Sequence, residues 1–175
     1  MRASTRLAAL GSAGLLALAI ALGGCAPGTS TSGTPASAGV QLTPSSTAAP
    51  KAAEQARLPD QLAGWSPSAS PTMLPTDLDN VRVRVQTAVF HDASGKDNRI
   101  VTLVVTPDKG YAQSQRKSLS DQQVFSDAVC GTPSGVPNAV SCLIDLDGGL
   151  LQTTGTGQDA ADLASFTNGI YASFQ

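Results

Sequence analysis

Residues 81–90 read VRVRVQTAVF. Val81, Val83, Val85, Thr87 and Val89 alternate with Arg82, Arg84 and Gln86, the period of two expected where successive side chains of a strand point to opposite faces. The expectation is one core face of valines and one polar face, either wet or covered by something polar. The next stretch, HDASGKDN at 91–98, is rich in Asp, Asn and Gly, each of which favours a reversal. Residues 99–106, RIVTLVVT, follow as a β-branched strand that is apolar on both faces, and Pro107 stops it. Together these stretches predict an antiparallel hairpin at the centre of a sheet.

Downstream of the hairpin, residues 108–121 hold helix formers (Ala112, Gln113, Gln115, Arg116, Lys117) with few apolar residues, which predicts a short exposed helix. A strand-like stretch occupies 124–129. Two more strands are expected at 140–146 and 150–154. Asp147-Gly148-Gly149 between them tolerates positive φ and signals a hairpin. Thr156 with Asp159 reads as a capping pair, and Leu163, Phe166, Ile170, Tyr171 and Phe174 then recur at helical spacing. That stripe must pack on the sheet. The expected fold class is α+β, a mainly antiparallel sheet of four to six strands with a C-terminal helix on one face. Upstream, 66–75 is a proline-broken loop. LPDQLAGW at 58–65 opens the domain and holds the only tryptophan, Trp65, either a seal on the core edge where the chain enters or a ligand platform.

Before position 58 the chain changes character. Arg2 and Arg6 precede an apolar run from Leu7 to Leu22, followed by Leu22-Gly23-Gly24-Cys25. Positive charge, a short apolar region and small residues make a secretory signal rather than a folded element. Gly11, Ser12 and Gly14 leave its unbroken core short of the ~20 residues a spanning helix needs. The arrangement resembles a bacterial lipoprotein signal. That resemblance implies cleavage by signal peptidase II, a diacylglyceryl thioether on Cys25, and palmitate-class acyl chains holding the protein to the extracytoplasmic face of the cell membrane. Two acyl chains anchor stably where one is marginal. Residues 26–57, built of Ser, Thr, Gly, Pro and Ala without an aromatic, read as a disordered tether of ~30 Å span, a composition that also permits O-glycans. The expected organisation is therefore a signal at 1–24, lipidated Cys25 and tether at 25–57, and one globular domain at 58–175, a common domain size.

Formal net charge is −2, and the portion beyond residue 57 is more acidic, its carboxylates all aspartates. No basic patch is available for phosphate backbones, so nucleic acid is not an expected partner. With Cys25 assigned to lipid, Cys130 and Cys142 are the thiols left in an exported domain, where they are expected to form a structural disulfide. There is no Cys-x-x-Cys spacing to suggest redox chemistry.

His91, the single histidine, lacks a sequence-evident partner for general-base work. The chain has no His/Cys cluster for a transition metal. Asp145 and Asp147 beside Gly148-Gly149 are faintly like a calcium loop but lack its other oxygen ligands, and fit better as turn carboxylates. Gly155-Thr156-Gly157 before a helix lacks the lysine of a phosphate loop. No catalytic residue, metal or cofactor is nominated. The candidate binding surfaces are the disulfide-tied loop of Pro133, Ser134, Gly135, Val136, Pro137 and Asn138, and the Arg82/Arg84 face of the first strand.

The pattern Leu58-Pro59 to Gly64-Trp65, a strand pair, Cys130-Gly131, Ser141-Cys142, an Asp-Gly turn and a terminal helix resembles an extracytoplasmic domain of high-GC actinobacteria. It is carried by lipoproteins and by single-pass membrane proteins without assigned activity. A vaguer likeness, to actinobacterial lipoproteins of the Mog1/PsbP-like type, implies only a fold. The expected function is a non-enzymatic envelope domain that binds another envelope protein. The alternative is a carrier or sensor with a lipid or small apolar ligand in a cavity between sheet and helix.

Overall fold

The computed structural model describes residues 48–78 and 80–174. The signal, Cys25 and the tether up to residue 47 lie outside the described residues. The strands are β1 (Trp65–Pro67), β2 (Met73–Leu78), β3 (Val81–Asp92), β4 (Asn98–Val105), β5 (Leu119–Phe125), β6 (Ala128–Pro133), β7 (Ala139–Leu146) and β8 (Gly149–Thr156). The helices are α1 (Tyr111–Lys117) and α2 (Ala160–Ser173). One antiparallel sheet runs β1-β3-β4-β8-β7-β6-β5, with β2 also paired to β3. The α+β class and the C-terminal helix packed on the sheet are as expected. The sheet is wider than four to six strands, because the proline-broken loop supplies β1 and β2 and the 124–129 stretch divides between β5 and β6. Pro67 and Pro75 sit in strands that pair only with β3, an edge position that tolerates the missing N–H.

The core lies between the sheet and α2. Phe90, Val101, Leu103, Leu151, Leu163 and Ile170 are all fully buried there. A second, smaller cluster of Leu119, Leu143 and Leu150 lies under Tyr111 and Ala112 of α1 on the opposite face. Of the expected core face of β3 only Val83 is buried; beyond it the buried face is the opposite one. Gln86 and Ala88 pair with Leu103 and Val101 and share the α2 face with Phe90, whereas Thr87 is exposed and Val85 and Val89 are half-buried on the other side. Alternation marks two faces but not which is core. Gln86 is admitted to the buried face because both ends of its amide are satisfied: Oε1 accepts from Leu58 N at 2.9 Å and Nε2 donates to Pro71 O at 2.9 Å.

Cys130 and Cys142 are bonded, directly opposed across β6 and β7 and fully buried. Closing a 12-residue separation contributes about 3 kcal/mol on the loop-entropy estimate. The helix cap differs from expectation. Asp159 itself is the N-cap of α2, accepting from Ala161 N at 2.8 Å, while Thr156 ends β8.

The domain also begins earlier than residue 58. Ala52 pairs in parallel with Asp147, and Ala53 and Ala56 are fully buried. Lys51 Nζ donates to the Ala172 and Phe174 carbonyls at the C-terminal end of α2, where a cation also suits the helix dipole. Three small residues in a Ser/Thr/Ala-rich stretch look like tether because alanine carries little apolar area, yet small is what this place needs. A Cβ on Gly149 would collide with Val104 O and Ala53. Gly149 is therefore a close-approach glycine, while Gly148, at φ 75°, makes the turn.

Candidate functional site

Among the described residues, one concavity with distinct chemistry lies along the first turns of α2, and its floor is an arginine. Arg99 starts the buried face of β4 opposite Phe90 and is only 9% exposed. Its guanidinium carbon stands 4.1 Å from the ring centroid of Trp65 and 4.7 Å from that of Phe166. The two rings are 5.0 Å apart. Leu62 and Trp65 are brought side by side by a tight turn in which Leu62 N donates to Trp65 O and Trp65 N to Leu62 O. Ala63 at φ 20° and Gly64 at φ 85° make that reversal, the second at no steric cost to glycine. Leu62, Ala63, Trp65, Arg99 and Phe166 line an open cleft of about 270 Å³, completed by Gly169, Ser165 and Asp162 of α2.

The electrostatics of Arg99 are unbalanced. Nη1 donates to the Asp162 carbonyl at 3.4 Å, and Nε is buried with no partner. Among the described residues no carboxylate lies within ion-pair distance of it; Asp162 and Asp97 act only from farther off and are exposed. Burial holds its pKa below the ordinary arginine value, and those two carboxylates oppose the shift. It stays protonated.

The nominated surfaces fall elsewhere, and not together. Arg82 and Arg84 border a groove of about 320 Å³ with Val83, Val105, Thr106 and Glu54. Both are engaged: Arg82 pairs with Asp77 at 3.5 Å and Arg84 pairs with Glu54. Pro133, Gly135, Val136 and Pro137 surround a shallow concavity of about 360 Å³ at the opposite end of β7. Ser134 Oγ donates to Ser118 O at 3.1 Å, and Asn138 O accepts from Gly157 N at 2.8 Å. Val136 is 48% exposed, so the loop is a surface, but no charged group aims into it. The two candidates are separated by the length of β7 and by β4 and β8.

The remaining chemistry-bearing residues have structural partners. Asp145 forms an ion pair with Arg116 of α1 at 3.0 Å. Burial pushes the Asp145 carboxyl up and Arg116 pulls it down, burial being the larger. Asp147 exchanges backbone hydrogen bonds with Ala53 and Lys51. Gly157 N donates to Asn138 O rather than to an anion. Among the described residues there is no group of three metal-ligating side chains. His91 is on β3 rather than in the following turn, and Nε2 lies 2.7 Å from Ser68 Oγ. Ser68 Oγ donates to Val89 O at 3.0 Å, an arrangement that stitches the loop after β1 to β3.

Sequence reasoning weighed Trp65 but missed Arg99, which it read as the first residue of a strand. Residue 99 shares the parity of Val101, Leu103 and Val105, and that is the signal that places a charge on the core face. No protein-family model, curated protein or solved structure matches the chain.

Proposed function

We propose that the protein is a lipid-anchored envelope protein, held through Cys25 to the outer face of the cell membrane, whose domain works by binding another envelope protein through the Trp65–Arg99–Phe166 cleft. The observation that carries this reading is the buried, unpaired guanidinium stacked on two aromatic rings in an open cleft. A charge without a resident counter-ion costs folding energy, and such sites serve recognition more readily than stability. Placement supports it. The chain joins the sheet at Ala53, against Gly149, which pairs with Val105. Arg99 lies six residues along β4 from Val105, about 20 Å at strand rise, so the cleft is at the end of the domain away from the chain's entry. The filled space between sheet and α2 supports a binding surface over an internal carrier cavity.

Photoreactive residues placed at Ser165, Arg84 and Gly135 in the source cells test this. The expected result is one recurrent protein adduct from Ser165, absent from the other two. Lipid or glycan adducts alone, or no adduct, would remove the protein-binding reading. In the same cells Cys25→Ser is expected to release the protein from the membrane fraction.

A further inference from the structure

The chemistry of the cleft narrows what it takes, given the binding reading above. We propose that it receives the free carboxy-terminus of a partner polypeptide whose last residue is apolar. In the Arg99 guanidinium, Nε is buried and one Nη1 hydrogen goes to the Asp162 carbonyl, which leaves Nη2 and the second Nη1 hydrogen as coplanar donors, a geometry that can recognise a carboxylate bidentately. The ring stack fixes that plane in advance, so little freedom is lost on binding. Beside it, Leu62 and the Trp65 ring form an apolar wall, and about 270 Å³ accommodates one terminal side chain, not a long lipid tail. The open mouth lets a chain leave, and the exposed Ser165 at the rim can hydrogen-bond its backbone. Asp162 and Asp97 are exposed and solvated, so they disfavour a dianion such as phosphate more than a single carboxylate.

Gly169 adds a second argument. It stands within α2, where glycine weakens a helix relative to alanine. A Cβ there would meet Leu62 Cδ2 at 3.6 Å, an ordinary contact, so nothing in the packing forbids alanine. What a methyl group would do is take space from the cleft.

Trp65 is the only tryptophan, so its fluorescence reports the site directly. The full-length protein is titrated with acetyl-Gly-Gly-Leu as the free acid, with the same peptide as its amide, and with isovalerate. The free acid is expected to bind, and the amide about tenfold to a hundredfold more weakly, the usual worth of a charge-assisted contact. Gly169→Ala is expected to weaken the free acid by about tenfold with thermal stability kept or raised. Arg99→Gln should abolish the difference between acid and amide. Equal binding of acid and amide, or no fluorescence response to either at millimolar concentration, overturns the proposal. Isovalerate binding as tightly as the peptide overturns the polypeptide source in favour of a free small acid. Should the Ser165 adduct form while the peptides fail, the carboxylate inference falls and the binding reading stands; the reverse result separates them the other way.

Discussion

Among the described residues each face of the sheet buries one arginine, and the two are equally exposed at 9%. On the α1 face Arg116 has a carboxylate, Asp145, 3.0 Å away. On the α2 face Arg99 has two aromatic rings and, among the described residues, no carboxylate within ion-pair distance, Asp162 and Asp97 acting only from farther off. The first charge is answered inside the molecule. The second is stabilised by ring faces, worth about 0.5–2 kcal/mol, but left electrically open. The contrast teaches that burial alone does not nominate a functional charge; burial without a counter-ion, beside a cleft, is what nominates Arg99.

The largest expected effect sharpens the comparison by removing the platform of Arg99. Phe166 is 5% exposed and packs on Trp65, Phe90 and the Arg99 guanidinium. Phe166→Ala should cost about 3–5 kcal/mol in urea unfolding, the range for truncating a buried aromatic. A loss under about 1 kcal/mol would mean the rings are not a working part of the core.

Replacing each arginine by methionine tests the contrast itself. Arg116→Met strands Asp145 partly buried. Breaking a buried pair costs about 3–5 kcal/mol, but Asp145 has 34% of its side chain exposed, so about 2 kcal/mol is expected. Arg99→Met leaves no buried carboxylate behind. The lost ring contact is offset by the desolvation no longer suffered, so the change should stay within about 1 kcal/mol of zero. Circular dichroism during urea unfolding measures both, independent of Trp65. The opposite ranking would sink the distinction between the two sites.

Most of the architecture was legible from local signals. Residues 81–106 carry strand periodicity and a turn, 140–154 carry an Asp-Gly hairpin, and the stripe from Leu163 to Phe174 is helical. Cys130 and Cys142 fall opposite each other because strands on either side of a short loop pair in antiparallel register. What stayed hidden depends on distant contacts. Ala53 looks like tether until Gly149 is opposite it. Val85 and Val89 look like core until α2 covers the face of Gln86, Ala88 and Phe90 instead. The cleft joins Leu62, Trp65, Arg99 and Phe166 from the 62–65 turn, β4 and α2, and no short motif spans them. The nominated arginines, by contrast, stood out locally because they alternate with valines, yet both have carboxylate partners.

The smallest effect concerns what the resident counter-ion achieves on the α1 face. An unfolded aspartate titrates near 3.8, and burial raises the Asp145 pKa above that value despite the pull of Arg116. Between the unfolded and folded pKa values the folded state holds the proton more tightly, so this group's contribution is most favourable below the unfolded value. It declines as pH rises through the folded one. Asp92 has the opposite sign: the Ser94 hydroxyl, with backbone N–H groups of the same turn, lowers its pKa, so its contribution is present above the ordinary value and lost as pH falls. Wild-type stability alone would mix the two. The difference between wild type and Asp145→Asn isolates the first, because Asp92 is common to both. That difference is expected to favour wild type most at acid pH, to fall through the carboxylate range and to level off toward neutrality. The reverse slope would mean Arg116 outweighs burial and that the pair is a net source of stability. With the expected slope, Arg116 offsets the burial of Asp145 without exceeding it, and the sheet then carries one arginine spent on a resident carboxylate and one, Arg99, still open to a ligand's.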